Sequence, residues 1–289
     1  MQFLLYIFLY PFLWFLSILP FPLLYFTSDC LYVILYYIIG YRKNTVRENL
    51  KMAFPEKSNN ELLIIEKKSF QHLCDTFLEM IKTMSISKSE MSKRYLITNL
   101  DEYLQLEKKG KSIALMTAHY GSYEWAISMN HHIQFRGVGI YKKINNKYFD
   151  KLVRDIRSKF KATLITTKQT KSYIEEHYLK NDLCLYGFAS DQTPRRSENM
   201  HWYNFMGIET PIHTGAEFLS KKYDMNIGFL KCKKVKRGSY EASIELLSDN
   251  VKLIPDYQIS ELFIRKVEIQ IKEKPEFYMW SHKRWKHKK

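Results

Sequence analysis

His119 and Glu124, five positions apart in Ala118-His119-Tyr120-Gly121-Ser122-Tyr123-Glu124, are a pair whose types and spacing suit acid–base chemistry. An imidazole takes and returns a proton near neutral pH, and a carboxylate behind it fixes its tautomer and supports the imidazolium. The apolar run Ile113-Ala114-Leu115-Met116 leads into His119, and a helix-like pattern at Trp125, Ala126 and Met129 follows Glu124. On one ideal helix the two side chains would stand ~140° apart. With His119 in the turn and Glu124 in the first helical turn, they can converge at the open carboxyl end of a buried strand. The competing reading is a histidine merely satisfied at a strand end.

Other groups could complete such a site. Tyr141-Lys142-Lys143, with Arg154 and Arg157 in the following helical pattern, offers cations for a phosphate or an oxyanion, or is simply a solvated basic face. Asp191 and Gln192 stand in a polar loop, Ala189-Ser190-Asp191-Gln192-Thr193-Pro194, directly after a strand-like run. The carboxyl-terminal stretch Glu276-Phe277-Tyr278-Met279-Trp280-Ser281-His282-Lys283-Arg284-Trp285-Lys286 mixes aromatics with bases, as in surfaces that stack on nucleic acid or sit among lipid headgroups. The chain has no G-x-x-x-x-G-K-[ST] phosphate loop, G-x-G-x-x-G turn or G-x-S-x-G elbow. His131-His132 lacks a spaced set of partners. Neither a metal nor a cofactor is expected.

The elements needed to position these residues can be read in order. Residues 3–26 carry no charge and are dense in aromatic and aliphatic side chains, long enough for a membrane anchor. Pro11, Pro20 and Pro22 would kink it or mark a re-entrant bend. Arg42, Lys43, Arg47 and Lys51 follow, which places the remainder on the cytoplasmic side. Ser58-Asn59-Asn60-Glu61 reads as a capping box opening a long helix, and a second helix spans 100–109 before Gly110. Strands at 138–141, 163–166 and 183–188 alternate with helices at 148–160 and 173–179. A late hairpin turns around Gly238, and a last helix covers 257–271. Such alternation indicates an α/β fold with a mainly parallel sheet flanked by helices. Two parts are expected: an anchor over 1–40 and one domain over 41–289. With 45 Lys and Arg against 30 Asp and Glu the net charge is +15, so anionic partners fit: nucleic acid, anionic lipid or an acidic protein. The four scattered cysteines argue against a disulfide framework.

Together these pieces resemble the lipid A biosynthesis (late) acyltransferases of the lysophospholipid acyltransferase superfamily. The resemblance runs from Tyr41-Arg42, Glu48-Asn49-Leu50 and Phe54-Pro55 through H-x4-E at His119 and Glu124 to Asp191-Gln192, Phe205-Met206-Gly207, Thr210-Pro211 and the terminal aromatic stretch. Tyr141-Lys142-Lys143 departs from the family's Tyr-Arg-Pro, and no Phe-Pro-Glu-Gly block of glycerol-phosphate acyltransferases is present. The resemblance implies acyl transfer from an acyl carrier protein (or CoA) thioester to a lipid hydroxyl at the cytoplasmic face of a bacterial inner membrane. The acceptor is a lipid A precursor or another lipid such as an aminolipid. His119 would be the base and Glu124 its support, with Arg157 at the oxyanion or an acceptor phosphate and Asp191 ordering the pocket or holding the acceptor headgroup. A membrane-tethered nucleic-acid-binding protein is the rival from another class, without a recognisable module. A lipid hydrolase would use the same base on water.

Overall fold

The computed structural model describes residues 2–289 and every side chain among them except those of Gln2, Leu4 and Leu5. Apolar helices α1 (Gln2–Ile18) and α2 (Phe21–Val33) come first, α2 running on into a π-helical segment, Ile34–Ile39. The uncharged stretch is thus two helices separated at Leu19-Pro20. Pro20 and Pro22 account for the break, since a ring nitrogen offers no N–H to continue a helix, whereas Pro11 lies within α1. Phe21–Ile39 is long and apolar enough to cross a membrane.

Next come α3 (Lys43–Ala53), α4 (Asn59–Lys82) and α5 (Lys88–Arg94). Ser58 and Glu61 form the expected capping box on α4: the Ser58 hydroxyl accepts from the Glu61 N–H while the Glu61 carboxylate accepts from that of Ser58. The α/β part continues with β1 (Tyr95–Ile97), α6 (Leu100–Glu107), β2 (Ile113–Thr117), β3 (Arg136–Tyr141), α7 (Lys147–Ser158), β4 (Thr163–Thr166), α8 (Thr170–Leu179) and β5 (Cys184–Ala189). A two-stranded hairpin, β6 (His201–Phe205) and β7 (Ile208–Ile212), precedes α9 (Gly215–Tyr223), β8 (Asn226–Lys236), β9 (Ser239–Ser248) and α10 (Gln258–Glu273).

Seven strands form one sheet in the order β1-β9-β8-β2-β5-β3-β4, parallel throughout except for the β8–β9 hairpin. The central strands are covered on both faces. Ala114, Met116 and Tyr186 pack into one buried cluster with α10, and Ile113, Leu115 and Leu185 into another with Trp125 and Tyr103. Parallel sheets need this double cover, which is why β2 reads as a continuous apolar run. The fold is therefore the expected α/β class.

Local chemistry explains the elements that the sequence reading lacks. The β6–β7 hairpin turns through Met206-Gly207, both at positive φ, as a tight two-residue turn requires. A methionine at positive φ hides that turn. β1 has only three residues, too few for a period to show. Residues 123–131 form a 3-10 helix where an α-helix was expected. Ahead of it, Gly121 has φ +58°, and a Cβ there would stand 2.8 Å from Cys232 Sγ. Gly121→Ala should thus cost about 1–3 kcal/mol of stability. Gly110→Ala shares the positive φ (+68°) but meets open space and should cost less, which comparative thermal unfolding would show.

Candidate active site

The register of two neighbouring strands builds the site. β2 and β5 are paired in parallel, with Thr117 opposite Ala189, and the Ser190 N–H donates to the Thr117 carbonyl at 3.1 Å. Two residues beyond each paired end stand His119 and Asp191. Their side chains meet at 2.7 Å, His119 Nδ1 to Asp191 Oδ1. Asp191 is fully buried, whereas the imidazole keeps about 20% of its surface exposed.

Burial alone would lower the His119 pKa; the Asp191 carboxylate outweighs it and holds the imidazole above its ordinary value. Burial would likewise raise Asp191, but His119 and neighbouring backbone N–H groups keep it below the usual carboxylate range. With Nδ1–H donated to Asp191, Nε2 is the nitrogen left for a substrate proton.

The expected contact between Glu124 and His119 is not formed. Glu124 makes a two-point pair with Arg157 instead, accepting from Nε at 2.9 Å and Nη2 at 2.6 Å. The physical reason is the 3-10 start after Gly121, which turns Glu124 toward the last turn of α7, where Arg157 stands. Glu124 still acts on His119 through space, raising its pKa after the larger effects of burial and Asp191. Burial opposes the Arg157 charge, and Glu124 more than compensates. The pair is mostly buried, so the cation is held in place rather than solvated.

An apolar cleft opens on this dyad. Phe70, Leu73, Phe77 and Met80 of α4 form one wall, Phe277 to Ser281 another, and His119, Tyr123 and Glu124 the head. Buried Val46 also lines it, while Phe77 stays 45% exposed.

The terminal segment is the clamp of the site. Gly121 N–H donates to the Phe277 carbonyl at 3.0 Å and Met279 N–H to the His119 carbonyl at 3.1 Å. Arg42 and Asn49, near the start of the chain, donate to the carbonyls of Ser281, Trp280 and His282. The Gln192 amide reaches Met279 Sδ at 3.7 Å, and the Thr193 hydroxyl donates to the Lys283 carbonyl at 3.1 Å. Trp280 and Trp285 are buried, 6.3 Å apart and stacked, so these rings serve neither a nucleic acid nor a headgroup layer. Arg284 is 1% exposed and donates to the Thr210 hydroxyl and the Pro211 carbonyl. Lys142 is exposed just past β3 and is not among the residues lining the cleft.

His177, Asp182 and Cys184 bring possible metal-ligating atoms within 4.8 Å of one another at the start of β5. There Asp182 is already paired with His177 at 2.9 Å and Arg136 at 3.1 Å, an arrangement that a guanidinium completes without a metal.

Residues 2–287 match the family model of the bacterial lipid A biosynthesis acyltransferases, nearly the whole chain. The chain belongs to that family. It is 23% identical over 254 residues to a lipid A biosynthesis acyltransferase of Haemophilus influenzae, covering 86% of this chain and 79% of the relative. As a lipid A biosynthesis acyltransferase family member it is an acyl-transferring enzyme. Nothing in the family match required His119 to meet Asp191; that contact comes from the β2–β5 register. The sequence assigns Asp191 to ordering the pocket or holding the acceptor headgroup, not to His119. The available signal was that His119 and Asp191 each follow a central strand by the same two residues.

Proposed function

We propose that the enzyme transfers a fatty acyl chain from an acyl-carrier-protein or CoA thioester to a hydroxyl of a lipid A precursor, on the cytoplasmic face of the inner membrane. The supporting observation is one juxtaposition: a mainly apolar cleft is lined by an imidazole whose Nδ1 is committed to a buried carboxylate. An acyl chain fits the cleft, and its carbonyl then lies at the head, beside His119.

The chemistry follows from the free nitrogen. His119 Nε2 takes the proton from the acceptor hydroxyl as its oxygen bonds to the thioester carbonyl carbon. The Asp191 carboxylate supports the imidazolium. Negative charge gathers on the former carbonyl oxygen, and Arg157, held by the cleft-lining Glu124 through Nε and Nη2, is the cation assigned to stabilise it. Collapse breaks the C–S bond, and the leaving thiolate recovers the proton from His119. The apolar walls keep water from the carbonyl, which favours a lipid hydroxyl over hydrolysis.

Mass spectrometry of lipids from cells with and without the enzyme tests this reading. A lipid A precursor heavier by one acyl group is the expected difference. An unchanged precursor with an acylated aminolipid would move the acceptor, and free fatty acid formed without acceptor would make the enzyme a hydrolase.

The donor can be tested separately. Lys142 and Lys143 stand exposed at the carboxyl end of β3, on the edge of the sheet where His119 lies. Reversing both charges should raise KM for carrier-bound donor several-fold, change kcat little and affect a CoA thioester less. Equal losses with the two donors would remove the carrier-docking role of these lysines.

A further inference from the structure

An uncharged amino terminus followed by basic residues suggests a bilayer-spanning anchor, but α2 is not free to cross. Tyr25 donates to Glu79 at 2.9 Å, Ser28 to Asp75 at 2.8 Å, and Tyr36 to Glu66 at 2.8 Å. As residue number rises along α2, it falls along α4, so the two helices lie antiparallel, side by side. At 1.5 Å per residue the contact on α4 extends for ~20 Å, about two thirds of a bilayer core. Midway along, Asp29 is paired with Arg237 of the β8–β9 hairpin at 2.6 Å. The hairpin turn presses on the helix so closely that a Cβ on Gly238 would stand 2.0 Å from the Tyr25 hydroxyl. If α2 crossed the membrane, exposed Lys68, Lys233 and Lys236 would be carried to hydrocarbon depth with it. Such charges are rare there unless they face a protein interior or water.

α1 is held in the same way. Leu13 and Leu16 are buried with Leu78 and Ile81 of α4 and Leu152 and Ile156 of α7. The Lys82 ammonium donates to the carbonyls of Ser17 and Leu19, both at 2.7 Å. Its early turns rest on α7, the Phe3 and Tyr6 rings lying 5.3 and 5.6 Å from that of Tyr148.

What the two helices turn outward is mostly apolar. On α2 and its continuation, Leu23, Phe26, Val33, Ile34 and Tyr37 recur at helical spacing and are 43–66% exposed. α1 adds Phe8 at 78% and Trp14 at 49%. This exceeds what a soluble surface leaves open, and the tyrosine and tryptophan suit a headgroup boundary.

We propose that α1 and α2 lie in the plane of one leaflet and that the protein is monotopic, with its amino terminus on the same side of the membrane as the catalytic body. The occupant of the outward face is lipid. Every polar group on the inner face of α2 named above is already met by α4 or the β8–β9 hairpin, and the outward residues named above carry no charge for a protein partner to recognise. This placement is independent of the chemistry assigned to His119.

Topology in cells tests it with the full chain. Tags are fused at Met1 and Lys289, Cys30, the exposed native cysteine, is changed by Cys30→Ser, and Ile18→Cys marks the turn between the helices; Cys74, Cys184 and Cys232 are buried. Whichever of spheroplasts or inverted vesicles protects the Lys289 tag presents the face opposite the body. From that face we expect no cleavage of the Met1 tag and no reaction of the new cysteine with an impermeant maleimide, although both react in detergent. A cleaved Met1 tag would show a single crossing, and a reactive Ile18→Cys would show a membrane-spanning hairpin; either overturns the proposal. The purified chain should also float with protein-free phosphatidylethanolamine–phosphatidylglycerol vesicles. Failure to float would mean that a protein covers the face, and the proposal would fall.

Discussion

His119→Ala is expected to lower kcat/KM for acyl transfer by ~10²–10⁴, the usual worth of a positioned general base. The substitution also strips the fully buried Asp191 of its hydrogen-bonded partner, so some loss of stability should accompany it. His119→Gln separates the two effects: its amide still offers Asp191 a donor, but it has no nitrogen that can take a proton. Both variants should be equally inactive, with the glutamine variant nearer wild type in thermal unfolding. Retention of more than about a tenth of the activity by either would remove His119 from the role of base.

The second large effect separates the two carboxylates. Asp191→Asn should lose nearly as much activity as His119→Ala, because an amide at 2.7 Å from Nδ1 can favour the wrong tautomer and cannot support the imidazolium. The double variant should be scarcely worse than either single one, as expected for groups acting together. Glu124→Gln acts by another route. It releases Arg157 from a two-point charge pair, leaving a mostly buried guanidinium without its counterion. The loss there should also be substantial, and Arg157→Lys should not repair it, since an ammonium cannot make the bidentate contact. Had Glu124 been the direct support of His119, Arg157→Lys would be nearly silent.

How much of this was legible in the sequence varies by residue. β2, β4, the β8–β9 hairpin and the capped α4 were readable because each rests on local signals: apolar runs, a turn glycine, a capping box. The resemblance placed His119, Glu124, Arg157 and Asp191 at the site. Their pairing was not readable, because it depends on register across β2 and β5, strands 72 residues apart at His119 and Asp191, and on a 3-10 turn that no period reveals. The terminal aromatic stretch misled for a related reason. Trp280 and Trp285 look like surface groups among bases until Arg42 and Asn49 are seen holding that backbone over the His119 loop. The apolar start reads as a membrane anchor, but its polar inner face, Ser28 and Asp29, gains meaning only once Asp75 and Arg237 are placed beside it.

The pH dependence of kcat/KM tests the central claim, that Asp191 and not Glu124 sets the base. His119 must be neutral to take a proton, so activity falls as pH drops through its pKa. Burial would place that acid limb below the ordinary imidazole value of about 6.5, and the Asp191 carboxylate brings it above. In wild-type enzyme the limb should therefore lie above about 6.5. In Asp191→Asn the residual activity should show it displaced clearly to lower pH, because the charge that favoured the imidazolium is gone. Glu124→Gln should move it in the same direction but by less. A limb that stays in place in Asp191→Asn and shifts fully in Glu124→Gln would contradict the assignment.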